Sequence, residues 1–224
     1  MEIIMKNKTA SAFKRAWLVI VCLSVTLSLV SCGGSAPNIE DIRERVEYLI
    51  EGAFEINEIF FGNGLPIDEG GAAVYGKVDG YDYVSNEAKY RTVIQIKEAA
   101  EKIYSADYLE YIYDTVFQGY ADPTVGIITA RFIEENGELL QSSDNEPLYN
   151  GIRKYDYSTM KIVRPSNANV VNINITAWIE GGELPETSVD FSDEYNDMIS
   201  GQRHTVRLTL VKQNGEWYLD TPTY

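Results

Sequence analysis

The sequence predicts an α+β fold in which N-terminal helices pack on a twisted antiparallel sheet built from long hairpins. Three observations predict it. Apolar residues recur at steps of three and four as far as Val116, the period changes to two after Asp122-Pro123, and no helix-length connection separates the later strands. Helices first and strands afterwards segregate into an α+β arrangement, whereas parallel βαβ units would interleave them.

The chain opens with a basic stretch (Lys6, Lys8, Lys14, Arg15) and a 14-residue apolar run from Trp17 to Val30. That run suits the h-region of a signal peptide, because crossing a bilayer takes about 20 residues. Leu29-Val30-Ser31-Cys32 follows and resembles the bacterial lipobox. The resemblance implies that residues 1–31 are a removable signal peptide. It also implies that the Cys32 thiol carries a diacylglyceryl group, anchoring the chain to the extracytoplasmic side of the cell membrane. Two acyl chains suffice for stable anchoring, since each buried methylene contributes ~0.8 kcal/mol. The alternative is an uncleaved membrane helix. Residues 32–38, with Gly33-Gly34-Ser35-Ala36-Pro37, read as a flexible tether, and residues 39–224 as one α+β domain.

Charge and cysteine usage narrow the function classes. The net charge is −15; without the first 32 residues, 15 basic and 33 acidic residues remain, close to −18. Such a body disfavours nucleic acid and favours a cationic partner; the alternative is that acidity only confers solubility. Cys22 lies in the apolar run and Cys32 is the modification site, so no thiol remains for a disulfide, zinc or a nucleophile. No cofactor or metal is expected.

Asn38 is placed to cap the first helix, with Glu40 and Asp41 in its first turn. Ile42, Val46, Leu49, Ala53, Ile56 and Phe60 form one apolar stripe, and Gly62-Asn63-Gly64-Leu65-Pro66 stops the helix. Residues 62–88 read as irregular, with a short strand at Tyr81 to Val84. A second helix presents Val93, Ile96, Ala100 and Ile103. Ser105 caps a third, presenting Leu109, Ile112 and Val116, while Tyr104, Tyr108 and Tyr111 share helical spacing and read as packing. Strands follow at Ile127 to Glu135 and Glu138 to Gln141 around Asn136-Gly137, and at Tyr155 to Val163 and Val170 to Glu180. The last pair, Arg203 to Lys212 and Glu216 to Asp220, joins across Asn214-Gly215.

This element order, ending in Gly215-Glu216-Trp217-Tyr218-Leu219-Asp220, resembles the NTF2-like, cystatin-like α+β fold across residues 38–224. Tyr90 to Leu109, Asn136 to Gln141 and Gly215 to Pro222 are also similar to segments of the IseA-type inhibitors of cell-wall DL-endopeptidases. That resemblance implies a non-enzymatic exported protein docking on a cysteine peptidase. The lipobox and the longer N-terminal helix region depart from that pattern, so no docking residue is carried over.

Candidate chemistry is sparse. His204, the one histidine, shares phase with Val206, Leu208 and Leu210, and with Tyr155, Tyr157 and Trp178 it is a candidate pocket residue. In the NTF2-like reading these side chains line a cone for a small apolar or aromatic ligand. His204 or Asp156 would be the base of a pocket enzyme; the alternative is a strand-end histidine half in solvent. Asp190, Asp193, Glu194 and Asp197, with Asn196, crowd one loop. Without the glycine and glutamate of an EF-hand they read as a partner-binding or solvated acidic loop rather than a calcium site. Asp68-Glu69-Gly70-Gly71 lacks the basic residue a phosphate turn needs.

Overall fold

The computed structural model describes residues 34–68, 80–122, 126–143, 152–180 and 201–223. The signal segment 1–31, Cys32, Gly33, residues 69–79 and the acidic loop with Asp190, Asp193, Glu194 and Asp197 lie outside the described residues. The chain is α+β, and all its described strands pair antiparallel.

Helix α1 (Ile39–Phe61) buries the expected stripe of Ile42, Val46, Leu49, Ala53, Ile56 and Phe60, together with Ile50, Asn57, Ile59 and Phe61. Each buried aliphatic side chain contributes about 1.5–3 kcal/mol, so packing rather than intrinsic propensity holds this helix. The expected Asn38 cap is not formed by its side chain. Asn38 is extended (φ −75°, ψ 146°) and its carbonyl accepts from the Asp41 amide at 3.1 Å, leaving Glu40 and Asp41 to complement the dipole.

The last turn of α1 holds no basic residue, and a distant one substitutes. Arg131 is 5% exposed; its Nε donates to the Ile59 carbonyl at 2.8 Å and its Nη2 to the Gly62 carbonyl. A cation here meets both the dipole and the orphan carbonyls of the helix end. Arg131→Met is expected to lower the unfolding free energy by about 2–4 kcal/mol, because buried carbonyls lose their donors. A urea titration with an unmoved midpoint would refute this capping role.

The same contact explains why the expected strand Ile127 to Glu135 is broken. Its first part pairs as β3 (Gly126–Ile128) with β2 (Tyr120–Asp122). Arg131 then turns in toward α1, and β4 (Phe132–Glu135) begins anew. β4 joins β5 (Glu138–Ser142) through Asn136-Gly137, both at positive φ (53° and 85°), as a two-residue hairpin turn of this type requires. β1 (Tyr81–Tyr83) completes a three-stranded sheet in the order β1-β5-β4.

Between β1 and β2 lie α2 (Val93–Ala100), capped by the Thr92 side chain, and α3 (Ala106–Tyr113), capped by Ser105. One π-helical turn, Asp114–Gln118, ends α3; it keeps Val116 buried and sets Phe117 among Phe60, Tyr113 and Phe132 at centroid distances of 5.4–6.3 Å. The tyrosine stripe divides: Tyr104 is buried, Tyr108 lies partly buried against it, and Tyr111 is 77% exposed.

The larger sheet is a meander, β6-β7-β8-β9, formed by β6 (Ile152–Val163), β7 (Val170–Glu180), β8 (His204–Gln213) and β9 (Glu216–Leu219). Val171, Ile173, Ile175, Ala177 and Ile179 alternate inward, each at most 2% exposed. α1 contacts both outer strands, β6 and β9, so the sheet curves around the helix. Arg45 fastens that seat, donating to the carbonyls of Trp217 at 3.0 Å and Lys102 at 3.3 Å. The segment between α2 and α3 runs along β9: Ser105 N donates to the Leu219 carbonyl and Leu219 N to the Ile103 carbonyl, at 2.8 and 2.9 Å.

Candidate functional site

Pairing across the meander sorts the candidate pocket residues. Tyr155 pairs with Ala177, and Ala177 with His204, so these three form one row on the helix-facing side. Trp178 pairs with Lys154 and Asp156 with Thr176, which places both on the opposite side. Tyr155 and His204 therefore share a face, and Trp178 does not join them. Asp156 and His204 stand on opposite faces and form no acid–base couple.

Tyr155 is committed to a buried polar network. Its hydroxyl donates to the Thr223 carbonyl at 3.0 Å. The Tyr104 hydroxyl donates to Asn57 Oδ1 at 2.8 Å, Asn57 Nδ2 donates to Thr223 Oγ1 at 2.8 Å, and Tyr104 Oη and Thr223 Oγ1 lie 3.2 Å apart. Asn57, Tyr104 and Thr223 are at most 2% exposed. The four residues stitch α1, the α2–α3 connection, β6 and the C-terminal segment together beneath the helix. Burial pushes the Tyr155 phenol above its ordinary range.

The open surface of α1 is chemically uniform. Glu40, Glu44, Glu47, Glu51, Glu55 and Glu58 recur at steps of four and three, opposite the apolar stripe. Glu40 is held by Arg43 at 2.8 Å and Glu55 by Lys89 at 2.6 Å. Glu44, Glu47 and Glu51 lie between these two pairs, with Tyr48, 51% exposed, among them. Tyr157, expected in a pocket, instead borders this stripe: its carbonyl accepts from Arg43 Nη1 at 2.8 Å. Burial, then the Glu51 and Glu47 carboxylates, push its phenol up to about 12.

That shift has a direction that can be checked. Because the folded state favours the neutral phenol, its contribution to stability is complete below pH 10 and is lost as the pH rises toward about 12. Ultraviolet difference titration should find Tyr157 ionising late, and Glu47→Gln with Glu51→Gln should bring it down. A phenol indifferent to both substitutions would contradict this arrangement.

Beside the stripe, α1 and α2 enclose a groove of about 560 Å³. Tyr48 and Tyr90 stand among its walls, Ile56 and Ile103 line it, and Glu55, Lys89, Glu98 and Lys102 bring charge to it. Gly52 permits the close approach that makes the floor, since a Cβ there would lie 2.3 Å from Ile103 Cδ1. Aromatic walls with charged groups at their edge suit a side chain or small aromatic group delivered by a partner. Among the described residues, no three histidine, aspartate or glutamate side chains gather to hold a metal. Among the same residues, no helix is long and apolar enough to cross a membrane.

The glutamate stripe was open to sequence reading, because its spacing is as regular as that of the apolar face. The groove was not, since it depends on how α2 lies against α1. No protein-family profile matches the chain, and no curated protein matches it significantly.

Proposed function

We propose that the protein is a non-enzymatic lipoprotein of the cell envelope, anchored through Cys32, whose α1 face docks on and restrains a basic cell-wall DL-endopeptidase. The observation that carries this reading is the run Glu44, Glu47 and Glu51 around exposed Tyr48, beside the aromatic-walled groove. A negative helix face steers a cationic partner toward it, and the tyrosines supply desolvated anchors at low entropic cost. The IseA-type resemblance names the class of partner. A long helix seated in a curved antiparallel meander supports reading the fold as NTF2-like.

The anchor fits the same reading. The Gly34 carbonyl accepts from the Ala168 amide at 3.1 Å, at the β6–β7 turn. Gly34, the described residue of the proposed tether nearest Cys32, is thereby held at that end of the sheet. Retention of the chain on immobilised DL-endopeptidase catalytic domains, at low and at high salt, tests the proposal. Capture that weakens as salt rises is the expected result; no retention at any ionic strength would overturn it.

A second reading has one observation in its favour. The groove's volume and its Tyr48 and Tyr90 walls also suit a free small aromatic ligand. Quenching of tyrosine emission by such compounds, with no peptidase retention, would favour it.

A further inference from the structure

The middle of the larger sheet's outward face carries the opposite charge to α1. Four of the chain's cations lie on it in two rows set by the strand pairing. Lys154 and Arg203 flank Trp178, with the Arg203 guanidinium 4.4 Å from the indole ring. Lys161 and Arg207 flank Asn174, to which Arg207 Nε donates at 3.4 Å. Between these rows run Asp156, Thr176 and Thr205, and beyond them Val163, Asn172 and Thr209. Asp156, the one acid in these rows, is paired with Arg203 at 3.4 Å. Lys154, Lys161, Arg203, Thr205 and Arg207 are all exposed.

A recess is built into this face. β6 shifts register between Asp156 and Lys161, where it runs out of step with β7. The Thr159 hydroxyl fastens the irregularity, donating to the Asp156 carbonyl at 2.7 Å and accepting from Thr176 N at 2.8 Å. The hollow that results, about 370 Å³, is lined by Thr159, Lys161, Val163, Asn174, Thr176 and Thr205, among others. The two cationic rows are four residues apart along β7, about 13 Å.

We propose that this face binds a linear anionic polysaccharide. Hydroxyl and amide side chains recessed between separated cations offer hydrogen bonds to sugar hydroxyls and ion pairs to acidic groups repeated along a chain. Charge complementarity selects an anion, and the shape selects a thread over a plane. A bilayer would find the one indole of these rows already covered, because Arg203 lies over Trp178. It would also meet the field of a chain whose net charge is −15. A polymer lying in the recess senses chiefly the cations within a Debye length, about 8 Å at physiological salt.

The test is electrophoresis of the full chain, in neutral detergent, through gels containing polygalacturonate or dextran. Polygalacturonate should retard the protein and dextran should not, and Trp178 emission should shift on binding. Lys161→Gln with Arg207→Gln should weaken retardation about tenfold to a hundredfold. Arg91→Gln with Lys212→Gln, which removes two exposed cations away from this face, should leave it unchanged. The proposal is overturned if polygalacturonate fails to retard the protein, or if both double variants behave alike. It is also overturned if anionic phosphatidylglycerol vesicles capture the chain through Lys161 and Arg207 while polygalacturonate does not.

Discussion

Asn57→Leu is expected to destabilise the protein by about 2–4 kcal/mol. Leucine branches at the same atom and is larger, so no cavity forms. What is lost is the acceptor of the Tyr104 hydroxyl and the donor to Thr223 Oγ1, both at 2.8 Å and both out of solvent. The two orphaned hydroxyls lie 3.2 Å apart and can still meet each other, which keeps the cost below that of two isolated buried groups. For a domain of this size the melting temperature should fall by roughly 4–16 °C. Amide exchange near Thr223 should accelerate along with it. Tyr104→Phe should recover part of the loss when combined with Asn57→Leu, because it removes one of the unpaired groups. Strictly additive losses in that cycle would show that the side chains do not act as a network.

The second large effect concerns binding. Replacing Glu44, Glu47 and Glu51 together by glutamine should leave stability unchanged or slightly raised, since like charges on one exposed helix face are separated from their neighbours only by solvent. Affinity for the proposed peptidase partner should fall about tenfold to a hundredfold, at about 0.5–1 kcal/mol per exposed charge. The loss should lie mainly in the association rate and should vanish at high salt, where the wild-type advantage is screened. Tyr48→Ala should act differently, speeding dissociation at every salt concentration, because it removes buried contact rather than steering. A triple variant that binds as tightly as the parent at low salt would exclude α1 as the docking face.

The elements with an uninterrupted period were legible in the sequence. The stripe Ile42 to Phe60 gave α1, strict alternation gave β7, and both Asn-Gly pairs mark hairpin turns whose asparagines stand at positive φ. Interruptions were legible only where a local signal marked them. Nothing near Thr129 announces that the chain must leave its strand; the cause is the C-terminus of α1, some 70 residues earlier, which takes Arg131 as its cap. The register shift in β6 is similar. An unbroken strand from Tyr155 to Val163 would set Ser158 opposite Asn174, whereas the shift sets Lys161 there, and with it half of a cationic row. Face assignments across strands were hidden for the same reason. His204 and Tyr155 share a row only because β7 stands between them in a particular register, whereas alternation along β7 by itself sets Trp178 with Asn172, Asn174 and Thr176.

If the acidic helix face restrains a cell-wall peptidase as proposed, hydrolysis of isolated sacculi registers that restraint. Increasing amounts of the full chain would be added to a DL-endopeptidase, and release of peptide ends followed at two ionic strengths. Inhibition that saturates, weakens with salt and is relieved by the Glu44, Glu47 and Glu51 substitutions is the predicted result. Undiminished hydrolysis at every protein ratio, or inhibition that the triple variant preserves in full, would contradict it.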